Sequence, residues 1–289
     1  MPTTSPSDAY PSLASWQPAG APEPDSTPTP TPLCYPGPLG PCPTVPVPTP
    51  FPSMSPPASP TFTLHVPILE YHRVKSSAGE TGYSVDLITP PDLFEAQMAA
   101  MSAAGWHTIT MGELGDDLRL GIQPPARTFV PTFDDGYEDG YTYALPILQR
   151  FGFVGTFFAV GSQIDQPDHL TVSELRELLA AGCEIGNHTM DHVDLETQNT
   201  GGLLAQIYGD SALIARDLGV WPQSFAYPAG LTNAAVIAAV AATPGLETAV
   251  IQGGSKHETW TDRWELPRMR VGPGTTPQDL IDQTTRYLP

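Results

Sequence analysis

From residue 65 onward the apolar positions fall into two alternating rhythms. Short β-prone runs, apolar throughout or at every second position, predict strands at residues 65–72, 106–110, 129–134, 155–160, 183–188, 224–227, 248–252 and 264–271. Between them, apolar residues three and four apart predict helices at 92–104, 111–120, 141–151, 171–181, 203–218, 233–242 and 277–287. Phe94, Met98 and Met101 share one face of the first helix, and Thr171 with Glu174 forms a capping box at the start of the fourth. Such strict alternation calls for a parallel sheet covered by helices, either closed into a barrel or open and doubly wound. The strand period of two also sets directions: Ile68, Glu70 and His72 share a face, as do Trp264, Leu266, Arg268 and Arg270. Cys183 is in phase with Ile185 and out of phase with His188, which makes it a core residue.

Residues 1–60 lack both rhythms. They hold 20 of the 35 prolines, no Lys or Arg, and only Asp8, Glu23 and Asp25 as charges. Runs such as Pro28-Thr29-Pro30-Thr31-Pro32 favour an extended tether and carry too little apolar surface to offset the entropy of ordering. Residues 1–60 are read as a disordered Pro/Thr/Ser-rich stalk, and residues 61–289 as the folded domain. Cys34 and Cys42 lie in that stalk, where a small disulfide loop and free thiols are both open.

A net charge of −19 changes the picture of partners, because it leaves 28 acidic against 12 basic residues beyond residue 60. The Lys and Arg clusters that neutralise phosphates are missing, which argues against nucleic acid and favours neutral polymers or small molecules. The longest apolar run, residues 234–242, is too short to span a bilayer, and no segment has the layout of a signal peptide. Stalks of this composition commonly separate an export signal or anchor from an outer domain. The chain therefore reads as secreted or envelope-associated, with its targeting segment absent from this sequence.

Candidate chemistry concentrates at two places. In Phe129-Val130-Pro131-Thr132-Phe133-Asp134-Asp135-Gly136-Tyr137 an apolar strand ends in adjacent carboxylates, which can serve one centre only if the strand breaks there, and Gly136 supplies a break. Some fifty residues on, Asn187-His188-Thr189-Met190-Asp191-His192 places two imidazoles four apart. Asp135, His188 and His192 together make a two-histidine, one-carboxylate metal site with open positions, zinc being the default ion and cobalt, nickel or manganese also acceptable. His72, Asp134, Asp135, His188 and Tyr227 all end predicted strands, where closed barrels build their sites. No strand is followed by a phosphate-cradling glycine motif. The expected fold is accordingly α/β: a distorted (β/α) barrel of seven or eight parallel strands, with the active site at their carboxyl ends.

Thr132-Phe133-Asp134-Asp135-Gly136-Tyr137 and His188-Thr189-Met190-Asp191-His192 resemble the first two signature motifs of the polysaccharide deacetylases, carbohydrate esterase family four, and Phe225-Ala226-Tyr227-Pro228-Ala229-Gly230 resembles the third. The opening Pro67-Ile68-Leu69-Glu70-Tyr71-His72-Arg73-Val74 and the closing Leu266-Pro267-Arg268 look most like the branch acting on poly-N-acetylglucosamine. The resemblance covers roughly residues 62–289. It implies Asp134 as general base, Asp135, His188 and His192 as metal ligands, and the backbone N–H of Ala229 as oxyanion donor, with Tyr227 and Trp264 beside the substrate.

Two positions depart from the family pattern. The arginine usually found two residues before the third-motif proline is Ala226 here, so Arg268 or Arg270, on the inward face of the last strand, would pair with Asp134; the competing role is a structural ion pair with Glu70 or Glu184. The usual C-terminal Leu-x-His is missing too, and after His192 the only histidine is His257. His72 is the substitute general acid, since the first strand of a closed barrel lies beside the last; the alternative is a buried structural histidine at the rim.

The implied activity is removal of acetyl from N-acetylglucosamine units of a polymer: poly-N-acetylglucosamine, peptidoglycan or a chitin-like chain. An acetylxylan esterase and a non-catalytic wall-tethered glycan-binding module are the competing readings. Because the stalk has the composition of a solvated tether, deleting residues 1–60 should leave the thermal midpoint and activity nearly unchanged. A large drop in either, measured by calorimetry or turnover, would show that the segment packs on the domain.

Overall fold

The structure is a computed structural model that describes residues 62–253 and 258–288. The stalk, both of its cysteines and His257 lie outside the described residues. In chain order the elements are β1 (Thr63–Leu64), β2 (Ile68–Tyr71), α1 (Pro91–Ala103), β3 (His107–Thr108), α2 (Met111–Leu120), β4 (Thr128–Phe133), α3 (Leu145–Arg150), β5 (Thr156–Ala159), α4 (Val172–Ala180), β6 (Glu184–Asn187), α5 (Thr200–Leu218), β7 (Ser224–Ala226), α6 (Ala234–Ala241), β8 (Thr248–Gln252), β9 (Glu258–Thr259), β10 (Leu266–Arg270) and α7 (Pro277–Thr285). Capping boxes begin α2 (Thr110 with Glu113), α4 (Thr171 with Glu174) and α7 (Thr276 with Asp279), so three helix starts are fixed by local side-chain chemistry.

Seven parallel strands close into a barrel in the order β2-β10-β8-β7-β6-β5-β4, and pairing of β4 with β2 (Ile68↔Val130 to Tyr71↔Phe133) completes the ring. The eighth predicted strand is the short β3, which pairs beside the start of β4 and stays outside the ring. It ends after two residues because Thr110 caps α2 almost at once. β1 and β9 form a separate antiparallel pair, so the predicted strand 65–72 is divided: its first residues cross to the ring and only Ile68–Tyr71 join it. The last predicted strand likewise starts late, at Leu266. Thr259 and Asp262 exchange hydrogen bonds and Glu265 N–H donates to the Asp262 carbonyl, a turn that takes Trp264 off the strand.

Side chains inside the ring form three layers. Thr156, Glu184, Ser224 and Thr248 lie nearest the amino ends. There Glu184 accepts from Gly112 N–H (2.7 Å), Thr156 (3.0 Å) and Ser224 (2.7 Å), and Thr156 accepts from Met111 N–H, so the polar layer holds the start of α2 against the barrel floor. Burial pushes the Glu184 carboxyl up, against those hydrogen bonds. Above it Ile68, Val130, Phe158, Ala226, Val250 and Leu266 join Met111, Leu114 and Leu118 of α2 in one apolar cluster. The third layer is polar and faces the carboxyl ends. Outside the ring, Tyr71, Phe94, Phe129, Phe133 and Phe157 pack under the helices with Cys183, which is buried as its phase predicts. Among the described residues no helix is long and apolar enough to cross a membrane.

Gly186 shows how full the interior is. A Cβ there would lie 2.4 Å from the Phe158 ring and 2.8 Å from the Ser224 hydroxyl, and neither can retreat inside a closed barrel. Gly186→Ala should therefore destabilise by roughly 1–3 kcal/mol through overpacking, lowering the thermal midpoint by several degrees. An unchanged midpoint in calorimetry would mean that the Phe158 ring has room to move.

Candidate active site

The third layer opens into a cavity of about 150 Å³ lined by His72, Leu87, Asp134, Asp135, His188, His192, Tyr227, Ala229, Gly230, Gln252 and Arg268. Each strand delivers its residue by the same parity that fills the core: Ile68, Glu70 and His72 continue one face, as do Val130, Thr132 and Asp134. Asp135 would point away on a regular strand. Its φ of 71°, followed by Gly136 at 68°, turns it back towards the axis, so the break begins one residue earlier than the glycine suggests. Leu170 N–H donates to the Gly136 carbonyl and Glu138 N–H to the Asp168 carbonyl, which stitches this turn to the loop after β5.

The histidine loop is built with similar care. Asn187 donates to the Ile207 carbonyl (2.7 Å) and Ser211 (2.8 Å) of α5 and accepts from Thr189 N–H (2.8 Å); Thr189 accepts in turn from His192 N–H (2.9 Å). Positive φ values at Thr189 (69°) and His192 (53°) are held by those bonds and let both imidazoles converge. His188 Nδ1 lies 2.8 Å from the Ala226 carbonyl. Since a carbonyl only accepts, Nδ1 carries a proton, and Nε2 is the ring nitrogen turned towards the cavity.

Asp135 Oδ1 stands 3.4 Å from His188 Nε2 and 3.2 Å from His192 Nε2. Ligand atoms about 2.1 Å from a tetrahedral zinc would be about 3.4 Å apart, so this donor set fits a divalent ion in type and spacing. The electrostatics agree. Burial opposes charge on Asp135, yet the His188 hydrogen bond and charge hold its carboxyl below the usual range. For His188 burial is outweighed by the Asp135 hydrogen bond and the Asp134 charge, and the pKa rises; for His192 burial and the His188 charge lower it. The carboxylates draw positive charge to the point between the rings.

Next to the triad, Asp134 is buried and bound at both oxygens by Arg268: Nη1 to Oδ1 at 2.7 Å and Nη2 to Oδ2 at 2.6 Å. Burial alone would raise the Asp134 pKa, but the guanidinium charge and hydrogen bonds hold it far below the usual carboxylate range. Arg268 Nη1 also donates to Thr132 (3.0 Å) and Nε to the Ile251 carbonyl (3.3 Å), while Glu70 Oε2 lies 3.6 Å from Nε. Arg268, rather than Arg270, thus pairs with Asp134, and the competing partner Glu70 is engaged as well. Glu70, His72 and Asp134 form a second carboxylate–histidine cluster, but Arg268 already supplies the cation there.

The remaining expected site residues separate. Ala229 lines the cavity with φ 55°, in a turn where a Cβ on Gly230 would fall 2.7 Å from Gln252 N, so only glycine fits. His72 lines it too, with Nε2 3.9 Å from Glu70 Oε1. The Tyr227 ring forms part of the wall, its hydroxyl committed to the Trp264 carbonyl at 2.9 Å. Trp264 is outside the cavity lining and packs against the cluster behind β7, with the Arg263 guanidinium over its ring. Gln252 and Leu87 were not singled out from sequence. Gln252 shares parity with Thr248 and Val250 at the end of β8, a signal that places it inside; Leu87 ends the short 3-10 helix Gly82–Leu87 before α1 and carries none.

Comparison with known proteins places this constellation. The Bacillus subtilis (strain 168) protein YxkH is 29% identical over 209 residues, 72% of each chain. The poly-beta-1,6-N-acetyl-D-glucosamine N-deacetylase of Escherichia coli (strain K12) is 27% identical over 153 residues, 47% of this chain and 22% of that enzyme. The chain therefore spans less than a quarter of the Escherichia coli relative. Among solved structures, the Streptococcus pyogenes deacetylase PplD in complex with acetate shares the fold with a TM-score of 0.70 at 24% identity, over 76% of this chain and 97% of that one. Residues 121–248, which carry both acidic and histidine motifs, match the family model described as Polysaccharide deacetylase. Over these residues the chain is similar to the polysaccharide deacetylase family.

Proposed function

We propose that the chain is a metal-dependent hydrolase that removes acetyl groups from N-acetylglucosamine residues of an extracellular or cell-wall polysaccharide, with residues 1–60 as its tether. The observation that carries this reading is the juxtaposition, in one cavity, of the Asp135–His188–His192 triad and a buried Asp134 clamped by Arg268. The name of the Escherichia coli relative and the Tyr71-His72 opening motif support poly-N-acetylglucosamine as the polymer.

Asp135, His188 and His192 would hold one divalent ion, zinc being best suited to two imidazoles and a carboxylate. When bound, that ion supplies Lewis acidity to a water and to the acetyl carbonyl. Asp134, kept ionised by Arg268, takes a proton from the attacking water as its oxygen bonds to the carbonyl carbon. The same pairing lowers its basicity, so the site depends on acidification of the water. The Ala229 N–H, presented by a left-handed turn, donates to the oxyanion as it develops. His72 gives its proton to the nitrogen as the C–N bond breaks, leaving acetate and a free amine.

Three measurements test the assignment together. Acetate release from chitooligosaccharides should cease with a chelator and return with added zinc. Asp134→Asn should keep the ion and lose about a hundredfold to ten-thousandfold in turnover, as expected for a missing general base, whereas His188→Ala should lose ion and activity together while staying folded. Loss of the ion in Asp134→Asn would exchange the roles of the two aspartates, and release confined to acetylated xylan would make the chain an O-deacetylase.

The role of His72 is checked by leaving group. His72→Ala should cripple N-acetyl hydrolysis yet affect activated aryl acetates much less, because a phenolate departs with little protonation. Equal losses on the two substrates would assign His72 a purely structural role.

A further inference from the structure

Glu70 is an uncommon feature of a barrel interior: a fully buried carboxylate that belongs to neither the ion triad nor the base. Its Oε1 accepts from Gln252 Nε2 at 2.9 Å, and its Oε2 makes no hydrogen bond. A carboxylate beside a guanidinium accepts and does not donate, so Glu70 selects the NH₂ end of the Gln252 amide and turns the carbonyl end away from itself. Gln252 lines the cavity, and among the described residues nothing donates to its Oε1. The backbone at this point is fixed as well, since the Gly230 turn packs directly on Gln252.

The ring order puts this acceptor on a particular side. Asp134 and Asp135 follow β4 and His188 follows β6, whereas His72, Arg268 and Gln252 come from β2, β10 and β8, the neighbouring strands of the facing wall. An acetyl carbonyl drawn to the triad and the Ala229 N–H directs the other end of its amide towards that wall, because C=O and N–H of a trans amide point in opposite directions. We propose that Gln252, oriented by Glu70, accepts the substrate's amide N–H and thereby makes the site select N-acetyl over O-acetyl groups. The inference rests on the N-deacetylase reading above. An ester carries an oxygen where the amide carries N–H, so its lone pairs would face Gln252 Oε1 with no hydrogen bond to offset the contact. Holding the N–H also fixes the nitrogen lone pair as the tetrahedral intermediate forms, leaving it free for a proton from His72. Gln252 is exposed at the cavity mouth, so the discrimination should be about 10- to 100-fold, short of that reached by fully enclosed polar sites.

The experiment compares kcat/KM for acetate release from N-acetylated chitooligosaccharides and O-acetylated xylooligosaccharides, using zinc-loaded wild type, Gln252→Met and Glu70→Gln. Because an amine needs protonation to leave far more than an alkoxide does, the ratio is also measured for 4-nitroacetanilide against 4-nitrophenyl acetate, whose activated leaving groups depend much less on the acid, so that a fall in this second ratio isolates the N–H contact. The ratio should fall about 10- to 100-fold in Gln252→Met, and by less in Glu70→Gln, where a neutral amide lets Gln252 take either orientation. Zinc content and thermal midpoint identify a misfolded variant, in which case the other carries the test. An unchanged ratio in wild-type-like protein overturns the inference and leaves the N-deacetylase reading standing. A wild type that cleaves only the xylan esters, or neither substrate, overturns both.

Discussion

A guanidinium buried between two carboxylates, Arg268 with Asp134 and Glu70, is the constraint around which the site is arranged. Desolvating three charges is costly, and the arrangement survives because nearly every donor of Arg268 is used: two bonds to Asp134, one to Thr132 and one to the Ile251 carbonyl. Removing one partner from a buried pair of this kind costs about 3–5 kcal/mol, since the remaining charge is stranded. The three residues come from β10, β4 and β2, which are adjacent only because β4 pairs with β2 to close the ring. Barrel closure and the ionised state of Asp134 are thus one structural fact.

Strain is placed where that frame can bear it. Asp135, Thr189, His192 and Ala229 all have positive φ, each at a cost of order 1–3 kcal/mol, and all line or border one cavity. Local hydrogen bonds hold the histidine loop: Asn187 ties it to α5 and Thr189 ties it to His192. The Gly136 carbonyl anchors the aspartate turn. At the other end of the barrel, Glu184 spends its carboxylate on the start of α2, which holds that helix against the floor beneath the apolar middle layer. The two ends use buried acids for opposite purposes, one to present charge and one to cap a helix.

Period-two and period-3.6 patterning carried the fold a long way, because both follow from local geometry. Alternating strands and helices, the capping box at Thr171, and the burial of Cys183 are all local consequences that the chain displays in order. The site motifs were legible for a related reason. Asp134-Asp135-Gly136 and His188 to His192 each gather their residues within a few positions, so their types and spacing mark Asp135, His188 and His192 as candidate ion ligands without knowledge of the path between them, while the role of Asp134 came from the family resemblance.

What the sequence by itself determined, then, was everything encoded within one strand, turn or helix: the class of fold and the two short motifs that gather the candidate site residues. What only the tertiary structure decided were relations between strands far apart in the chain. The choice of Arg268 over Arg270, the seventh rather than eighth place in the ring, and the displacement of Trp264 from the last strand depend on register and on a turn set by Thr259 and Asp262. Glu70 and Gln252 meet across 182 positions of sequence. Parity placed each of them inside the barrel, but a period of two says nothing about which neighbour a residue faces. That contact exists only once the sheet has closed and its shear has set β2, β10 and β8 side by side.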